Sequence, residues 1–196
     1  MFTGLIREIG KVVTLLPMGK GKAFTVLLPI LGPAARIGDS IALNGACLTV
    51  VALNGPMVQF ELSPETLNKT NLNFVREGDP LNAEPSLRLG DVMGGHMVQG
   101  HVDGLGKLLS RTLNDTWETF CFSTPPEMTK LIAPKGSIAV DGVSLTVVES
   151  FSDRFTVALI PHTLTETNFG TMKPGTPVNL ESDMVARYVQ RLLAYS

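Results

Sequence analysis

The sequence predicts an all-β protein: two tandem, similar Greek-key antiparallel β-barrels followed by a short C-terminal α-helix. The first observation behind this is a duplication, since Ser40–Val51 (SIALNGACLTVV) recurs 97 residues later as Ser137–Val148 (SIAVDGVSLTVV). The same offset carries Pro64-Glu-Thr-Leu67 to Pro161-His-Thr-Leu164, Thr70-Asn71 to Thr167-Asn168, and Gly78 with Glu84 to Gly175 with Glu181. The second is a succession of short runs rich in β-branched and aromatic residues, punctuated by Gly, Asn and Asp. The third is proline at positions 17, 29, 33, 56, 64, 80 and 85, which leaves almost no room in the first copy for a helix of ordinary length. Two copies are too few for a solenoid or propeller. Short antiparallel strands that must leave no open edge close best into a small barrel.

The first strand begins near Ile6 and reaches a Gly/Lys turn at Met18 to Lys22; Ala23-Phe-Thr-Val-Leu-Leu28 then returns antiparallel to it. Gly32-Pro33 breaks that second strand, and Arg36-Ile-Gly-Asp39 leads into the repeated segment. Asn44-Gly45 and Asp141-Gly142 are the pairs that most readily take the positive φ angles of a two-residue hairpin turn. Asn54-Gly55 separates Leu48 to Leu53 from Met57 to Leu62, and Ser152-Asp-Arg154 does the same in the second copy. Near the front the offset slips by one, because Gly4, Gly10 and Lys11 match Gly100, Gly106 and Lys107. The final segment changes character. Ser182 or Asp183 can cap a helix from Met184 to Tyr195, in which Val185, Tyr188, Val189, Leu192 and Leu193 recur at helical spacing opposite Arg187, Gln190 and Arg191. So short a helix needs a surface for its stripe, either the barrel or the same helix of another subunit.

The composition narrows the function. A length of 196 residues with 44% hydrophobic and 17% charged residues is that of a compact globule, and 97 residues per copy suffice for a core. A net charge of −2 gives no basic footprint for nucleic acid. No stretch approaches the roughly 20 apolar residues of a membrane span, and the N-terminus lacks the pattern of a secretory signal. A cytoplasmic protein that binds neither nucleic acid nor membrane is expected. Cys47 and Cys121 have neither disulfide-framework nor zinc-ligand spacing.

Gly94-Gly-His-Met-Val-Gln-Gly-His-Val-Asp-Gly104 joins the copies. It is not a dinucleotide fingerprint, because Gly104-Leu-Gly106 lacks a third glycine, nor a phosphate loop, having no Gly-Lys-Ser/Thr ending. As a metal site it would need His96 and His101 on one face, and in a strand a separation of five opposes them. Two readings remain: a structural crossover, or a place where backbone approaches a ligand closely.

Met1-Phe-Thr-Gly-Leu-Ile6, Asn44-Gly-Ala-Cys-Leu-Thr49, Gly94 to Val102 and Asp141-Gly-Val-Ser-Leu-Thr146 resemble, in order, the corresponding segments of the riboflavin synthases of the alpha type, built from two lumazine-binding repeats. The resemblance runs from Met1 to the C-terminal helix. It implies an N-terminal lumazine-binding barrel over 1–95, a second over 96–182 and an oligomerisation helix over 183–196. It also implies a cofactor-free transferase that moves a four-carbon unit between two molecules of 6,7-dimethyl-8-ribityllumazine, giving riboflavin and 5-amino-6-ribitylaminouracil. A homotrimer with sites between the first barrel of one subunit and the second of its neighbour follows from the same likeness, which leaves open an association with lumazine synthase.

The resemblance places Gly4, Leu5, Ile6, Cys47, Leu48, Thr49, Glu61, Leu62, Ser63, Pro64, Glu65 and Thr66 in the first pocket. It places Gly100, His101, Val102, Lys135, Ser144, Leu145, Thr146, Leu159, Ile160, Pro161, His162, Thr163 and Leu164 in the second. Strand backbone suits the donor and acceptor edge of a pteridine, and threonines 49, 66, 146 and 163 suit a ribityl chain; as strand residues they need no ligand to explain them. Histidine carries protons well near neutral pH, which marks His101, within the implied site, as the catalytic proton carrier and leaves His96 a structural role. Cys47 and Ser144 share one repeat position and are paired catalytic candidates, although a cysteine there also suits an inert core. Thr3, Ser40 and Asp183 stand where the family has functional polar groups, and His162 replaces its repeat mate Glu65. The rival of another class is a non-catalytic lumazine- or flavin-binding protein of the same fold; a third reading, a reductase's flavin barrel, leaves the second copy unexplained.

Overall fold

The structure is a computed structural model and describes residues 1–194. The first half forms β1 (Glu8–Met18), β2 (Gly21–Leu27), β3 (Ser40–Leu43), β4 (Ala46–Asn54), β5 (Met57–Leu62), a one-and-a-half-turn helix α1 (Pro64–Lys69) and β6 (Pro80–Pro85). The second repeats it with β7 (Gly104–Asn114), β8 (Trp117–Ser123), β9 (Ser137–Val140), β10 (Val143–Ser150), β11 (Arg154–Leu159), α2 (Pro161–Glu166) and β12 (Pro177–Ser182). Each set closes into an antiparallel barrel, in the order β1-β2-β5-β4-β3-β6 and its exact equivalent β7-β8-β11-β10-β9-β12. Local chemistry explains the small helices: Ser63 Oγ caps α1 by accepting from Thr66 N at 3.1 Å, and proline opens both helices.

Alternation along the strands fills each barrel. Phe24, Val26, Ile41, Leu48, Val50, Phe60 and Leu62 point inward in the first, and Phe120, Phe122, Ile138, Leu145, Val147, Phe155 and Leu159 in the second. Four phenylalanines, Phe120, Phe122, Phe155 and Phe169, pack with ring centroids 5.6–6.2 Å apart, a separation typical of favourable aromatic pairs.

The hairpin turns at Asn44-Gly45 (φ 44° and 76°) and Asp141-Gly142 (φ 45° and 79°) have positive φ at both central residues, as that chemistry predicts. They also meet back to back. A Cβ on Gly45 would lie 2.6 Å from Gly142 N, and one on Gly142 would lie 2.8 Å from Gly45 N. Around this contact three repeat pairs, Asn44/Asp141, Asn71/Asn168 and Asn82/Asn179, form a buried seam between the barrels. Asn71 N donates to Asn179 Oδ1 (2.6 Å) and Asn168 N to Asn82 Oδ1 (2.7 Å), so each barrel satisfies the other's backbone across an approximate two-fold axis.

Asp141 is the charge that breaks this symmetry. Its carboxylate accepts from Asn71 Nδ2 and Asn168 Nδ2, both at 2.9 Å, and from Asn179 N at 2.8 Å. Burial nevertheless outweighs these bonds and pushes its pKa from 3.8 up to about 7. A carboxyl whose folded-state pKa is raised stabilises the fold fully below its unfolded value, and that contribution is lost as pH rises through the folded one. The stability of the wild type relative to Asp141→Asn should therefore decline from about pH 4 to about pH 7 and stay level above it. Denaturant midpoints of both proteins over that range test this; parallel curves would show that Asp141 does not titrate on folding.

The last element, α3 (Met184–Leu193), is capped by Asp183, whose carboxylate accepts from Val185 N at 2.9 Å. The expected end of the helix at Tyr195 lies outside the described residues. Its barrel side is polar: Arg187 donates to Gln99 Oε1 (3.2 Å) and Asp103 Oδ2 (3.0 Å). The apolar stripe faces outward, with Val185, Tyr188 and Val189 about half exposed and Leu192 and Leu193 more so. The helix lies beside Thr129–Leu131 of the second barrel, yet this stripe is not buried there. Among the described residues, no helix is long and apolar enough to cross a membrane.

Candidate functional site

On each barrel the outer face of one hairpin collects the polar candidates. In the first, Ser40 pairs with Thr49 and Ala42 with Cys47, so Ser40, Cys47 and Thr49 share the face opposite the core residues Ile41 and Leu48. In the second, Ser137 pairs with Thr146 and Ala139 with Ser144, which puts Ser144 and Thr146 in the equivalent places. Leu48, Leu62, Leu145 and Leu159, expected in the pockets, turn their side chains into the barrel cores; only their backbone remains for a ligand.

Each hairpin is roofed by a segment that belongs, by the repeat, to the other copy. Gly4 O accepts from Ser144 N at 2.8 Å, and Ile6 packs against the second core; Gly100 O accepts from Cys47 N at 3.0 Å, and Val102 packs against the first core. The approach admits no side chain: a Cβ on Gly4 would lie 2.5 Å from Ser144 Cβ, and one on Gly100 2.5 Å from Cys47 Cβ. The two straps cross at Phe2 and Val98, paired by hydrogen bonds of 2.7 and 3.1 Å between their backbones. This reverses the pocket grouping expected from the sequence. Gly4, Leu5 and Ile6 lie at the second barrel, and Gly100, His101 and Val102 at the first.

The two histidines of the junction have different surroundings. His96 Nδ1 and Ser144 Oγ share a hydrogen bond of 2.7 Å, and His96 Nε2 is buried without a hydrogen-bond partner among the described residues. Burial lowers the His96 pKa below 6.5, with the nearby Asp183 carboxylate opposing the shift. The ring is therefore neutral at neutral pH and able to take a proton from Ser144 or from a molecule beside it. Nothing in the spacing of His96 signals this contact, since the partnership joins residues far apart in the chain. His101 has an exposed side chain, and its backbone N donates to Glu181 Oε2 at 3.0 Å.

The remaining candidates divide. Asp183 sits near His96 as well as capping α3. Thr3 is buried, with its hydroxyl donating to Glu84 Oε1 at 2.7 Å and accepting from Leu5 N at 3.2 Å, so it is engaged within the fold. Ser40 lines a cleft of about 270 Å³ together with Asp39, Ile41 and Arg88. Glu61, Ser63, Pro64 and Glu65 are exposed at the end of β5 and the start of α1, as are Ile160, Pro161 and His162 at the start of α2; Thr66, Thr163 and Leu164 are half-buried, and Leu164 rests on the second core. Exposed Lys135 holds a φ of 65° where its repeat mate Gly38 has 93°, a backbone state that disfavours a lysine. A second cavity, of about 290 Å³, lies at the seam, lined by Phe74, Thr171 and the turn residues Asn44 and Asp141. Its buried amides are already committed to one another.

Two equivalent barrels, with Cys47 in one and Ser144 in the other beneath a glycine strap, define a protein of two duplicated barrels. The lumazine binding domain family matches residues 3–86 and 99–183, which is the same division. Riboflavin synthases of Mycobacterium tuberculosis (strain H37Rv) and Brucella abortus are 42% and 41% identical, over 98% and 100% of this chain and 98% and 99% of their own length. That of Actinobacillus pleuropneumoniae is 38% identical over 98% of this chain and 90% of its own. The chain belongs to the riboflavin synthase family. Among solved structures, LumP complexed with riboflavin superimposes with a TM-score of 0.87 at 22% identity, and LumP complexed with 6,7-dimethyl-8-(1'-D-ribityl)lumazine with 0.84, each covering 93% of this chain and 99% of the other. At that identity the likeness speaks for the fold alone.

Proposed function

We propose that the protein makes riboflavin and 5-amino-6-ribitylaminouracil from two molecules of 6,7-dimethyl-8-ribityllumazine. The observation that carries this reading beyond family membership is the 2.7 Å contact between His96 Nδ1 and Ser144 Oγ beneath the Gly4 strap. The products together hold every atom of the two reactants, so no oxidant, reductant or cofactor is required. The chain's task is to bind, orient and move protons. Neutral His96 accepts the proton released from the acidic C7 methyl group, directly or through Ser144. The strap's backbone and Thr146 offer partners to the ring edge and ribityl chain. The first hairpin presents Cys47, Thr49 and the exposed His101 to the other reactant, so the half-sites are chemically unlike.

Within one chain the crossing straps fill the space between the two hairpins, with Ala42, Cys47 and Ala139 packed against Phe2 and Val98. We therefore place the reacting pair between the first barrel of one subunit and the second barrel of another, in a homotrimer assembled through the apolar stripe of α3, working in the cytoplasm. Incubating the purified protein with the lumazine alone and following riboflavin absorbance tests the reaction. His96→Gln, which cannot accept a proton, should lower kcat about 10²- to 10³-fold while changing ligand affinity little. Binding without product in the wild type would leave a carrier of lumazine or flavin.

A further inference from the structure

Each strap is fastened by one buried carboxylate, and the two carboxylates are repeat mates. Glu84, in β6 of the first barrel, accepts from Thr3 N and Thr3 Oγ1 at 2.7 Å through Oε1, and from Gly4 N at 3.0 Å through Oε2. Glu181, in β12 of the second barrel, accepts from Gln99 N at 2.6 Å through Oε1, and from Gly100 N and His101 N at 2.9 and 3.0 Å through Oε2. The side chains of both residues are almost wholly out of solvent. Three donors converging on a carboxylate fix the peptide plane they belong to, and the carbonyl that follows in each strap is the one that accepts from the nucleophile's own N–H on the opposite barrel.

We infer that Glu84 and Glu181 are positioning residues that act across the seam: Glu84 of the first barrel sets the Ser144 half-site of the second, and Glu181 of the second sets the Cys47 half-site of the first. The path in each direction is short and explicit. Glu84 holds Gly4, and Gly4 holds Ser144; Glu181 holds Gly100, and Gly100 holds Cys47. Neither half-site is complete within its own repeat, so the duplication is functionally interlocked. Glu181 is braced further, because Asp103 takes the Ser182 N–H and hydroxyl at 2.8 and 2.7 Å and binds Arg187 of α3. The first half-site is thereby connected to the helix whose apolar side faces outward.

This inference rests on the proposed half-sites, but it can be read without turnover. A glutamine has one acceptor oxygen where the carboxylate has two, and its NH₂ would face an N–H donor, so Glu→Gln should loosen the strap. Thiol alkylation reports strap closure directly, since Cys47 is half-buried beneath Gly100. Iodoacetamide labelling with peptide mass mapping, using Cys121 as the internal reference, should show Glu181→Gln raising the Cys47 rate about tenfold and Glu84→Gln changing it less than twofold. In a Ser144→Cys background the thiol at position 144 should respond the other way, to Glu84→Gln and not to Glu181→Gln. Each variant should also lose up to about 10²-fold in kcat, the scale of a misplacement of roughly 1 Å. If a glutamine variant does not fold, Thr3→Val, which removes one bond to Glu84, and Glu181→Asp should give the same crossed pattern at smaller size. Effects confined to the glutamate's own barrel, or equal at both thiols, would overturn the inference. Failure of the proposed reaction would appear separately, as a wild type with crossed labelling and no riboflavin.

Discussion

Val189→Asp in α3 is expected to leave two folded barrels that bind a lumazine or riboflavin with near-normal affinity and hardly turn over. Val189 is 49% exposed on the outward stripe, so a charge there should cost the isolated chain no more than about 0.5 kcal/mol. Placed in the middle of an assembly contact, the same charge must be desolvated without a partner, and the contact fails. Catalysis then loses its largest contribution. On the proposed reading a solitary subunit cannot appose its two reactants, whereas a well-oriented pair has an effective molarity of about 10⁵ M or more. Specific activity at nanomolar protein should fall at least about 10³-fold and climb steeply with concentration, while light scattering reports a single chain. Because Arg187 and its bonds to Gln99 and Asp103 are untouched, the loss is separable from loosening of the His101 strap, which deletion of residues 184–196 would combine with it. A monomer with full, concentration-independent activity would show that each chain completes its own site.

Gly45→Ala should be among the most damaging single-methyl additions in the chain. Position 45 has a φ of 76°, and its Cβ would stand 2.6 Å from Gly142 N and 2.9 Å from Gly142 Cα. These are backbone atoms of another closed barrel, so relief requires the barrels to part and the asparagine seam to stretch. The left-handed conformation costs an alanine about 1–2 kcal/mol, and overpacking of this kind adds about 1–3 kcal/mol. Gly55 supplies the control, with a φ of 58° and open space around it. Denaturant unfolding should show Gly55→Ala losing only the conformational part and Gly45→Ala about twice that or more. Equal losses would mean that the turns, not their contact, require glycine.

Much of this was legible in the chain. Turn pairs such as Asn44-Gly45 and Asp141-Gly142, the inward alternation of β4 and β10, and the capping of α3 by Asp183 all depend on residues within a few positions of each other. Local sterics and strand periodicity suffice to read them. The 97-residue offset added the architecture, because two copies of one strand pattern close into two copies of one barrel. The shared position of Cys47 and Ser144 followed from the same repeat.

The ownership of each half-site was a tertiary decision. Ile6 and Val102 are small apolar residues in equivalent places, and the repeat pattern is the same whether a strap lies on its own barrel or on its neighbour. The choice is made by hydrogen-bond completion over long sequence separations, Glu84 to Gly4 and Gly4 to Ser144, and by the steric demand that only glycine pass over Cys47 and Ser144. The same holds for His96, whose partner is 48 residues away, and for the buried seam, where Asn82 and Asn179 have no local signature. Sequence by itself determined what the two modules are and the chemistry they can carry. Packing alone decided that each module is finished by the other, because a buried polar group is satisfied by whichever partner the folded chain brings within reach, at any distance along it.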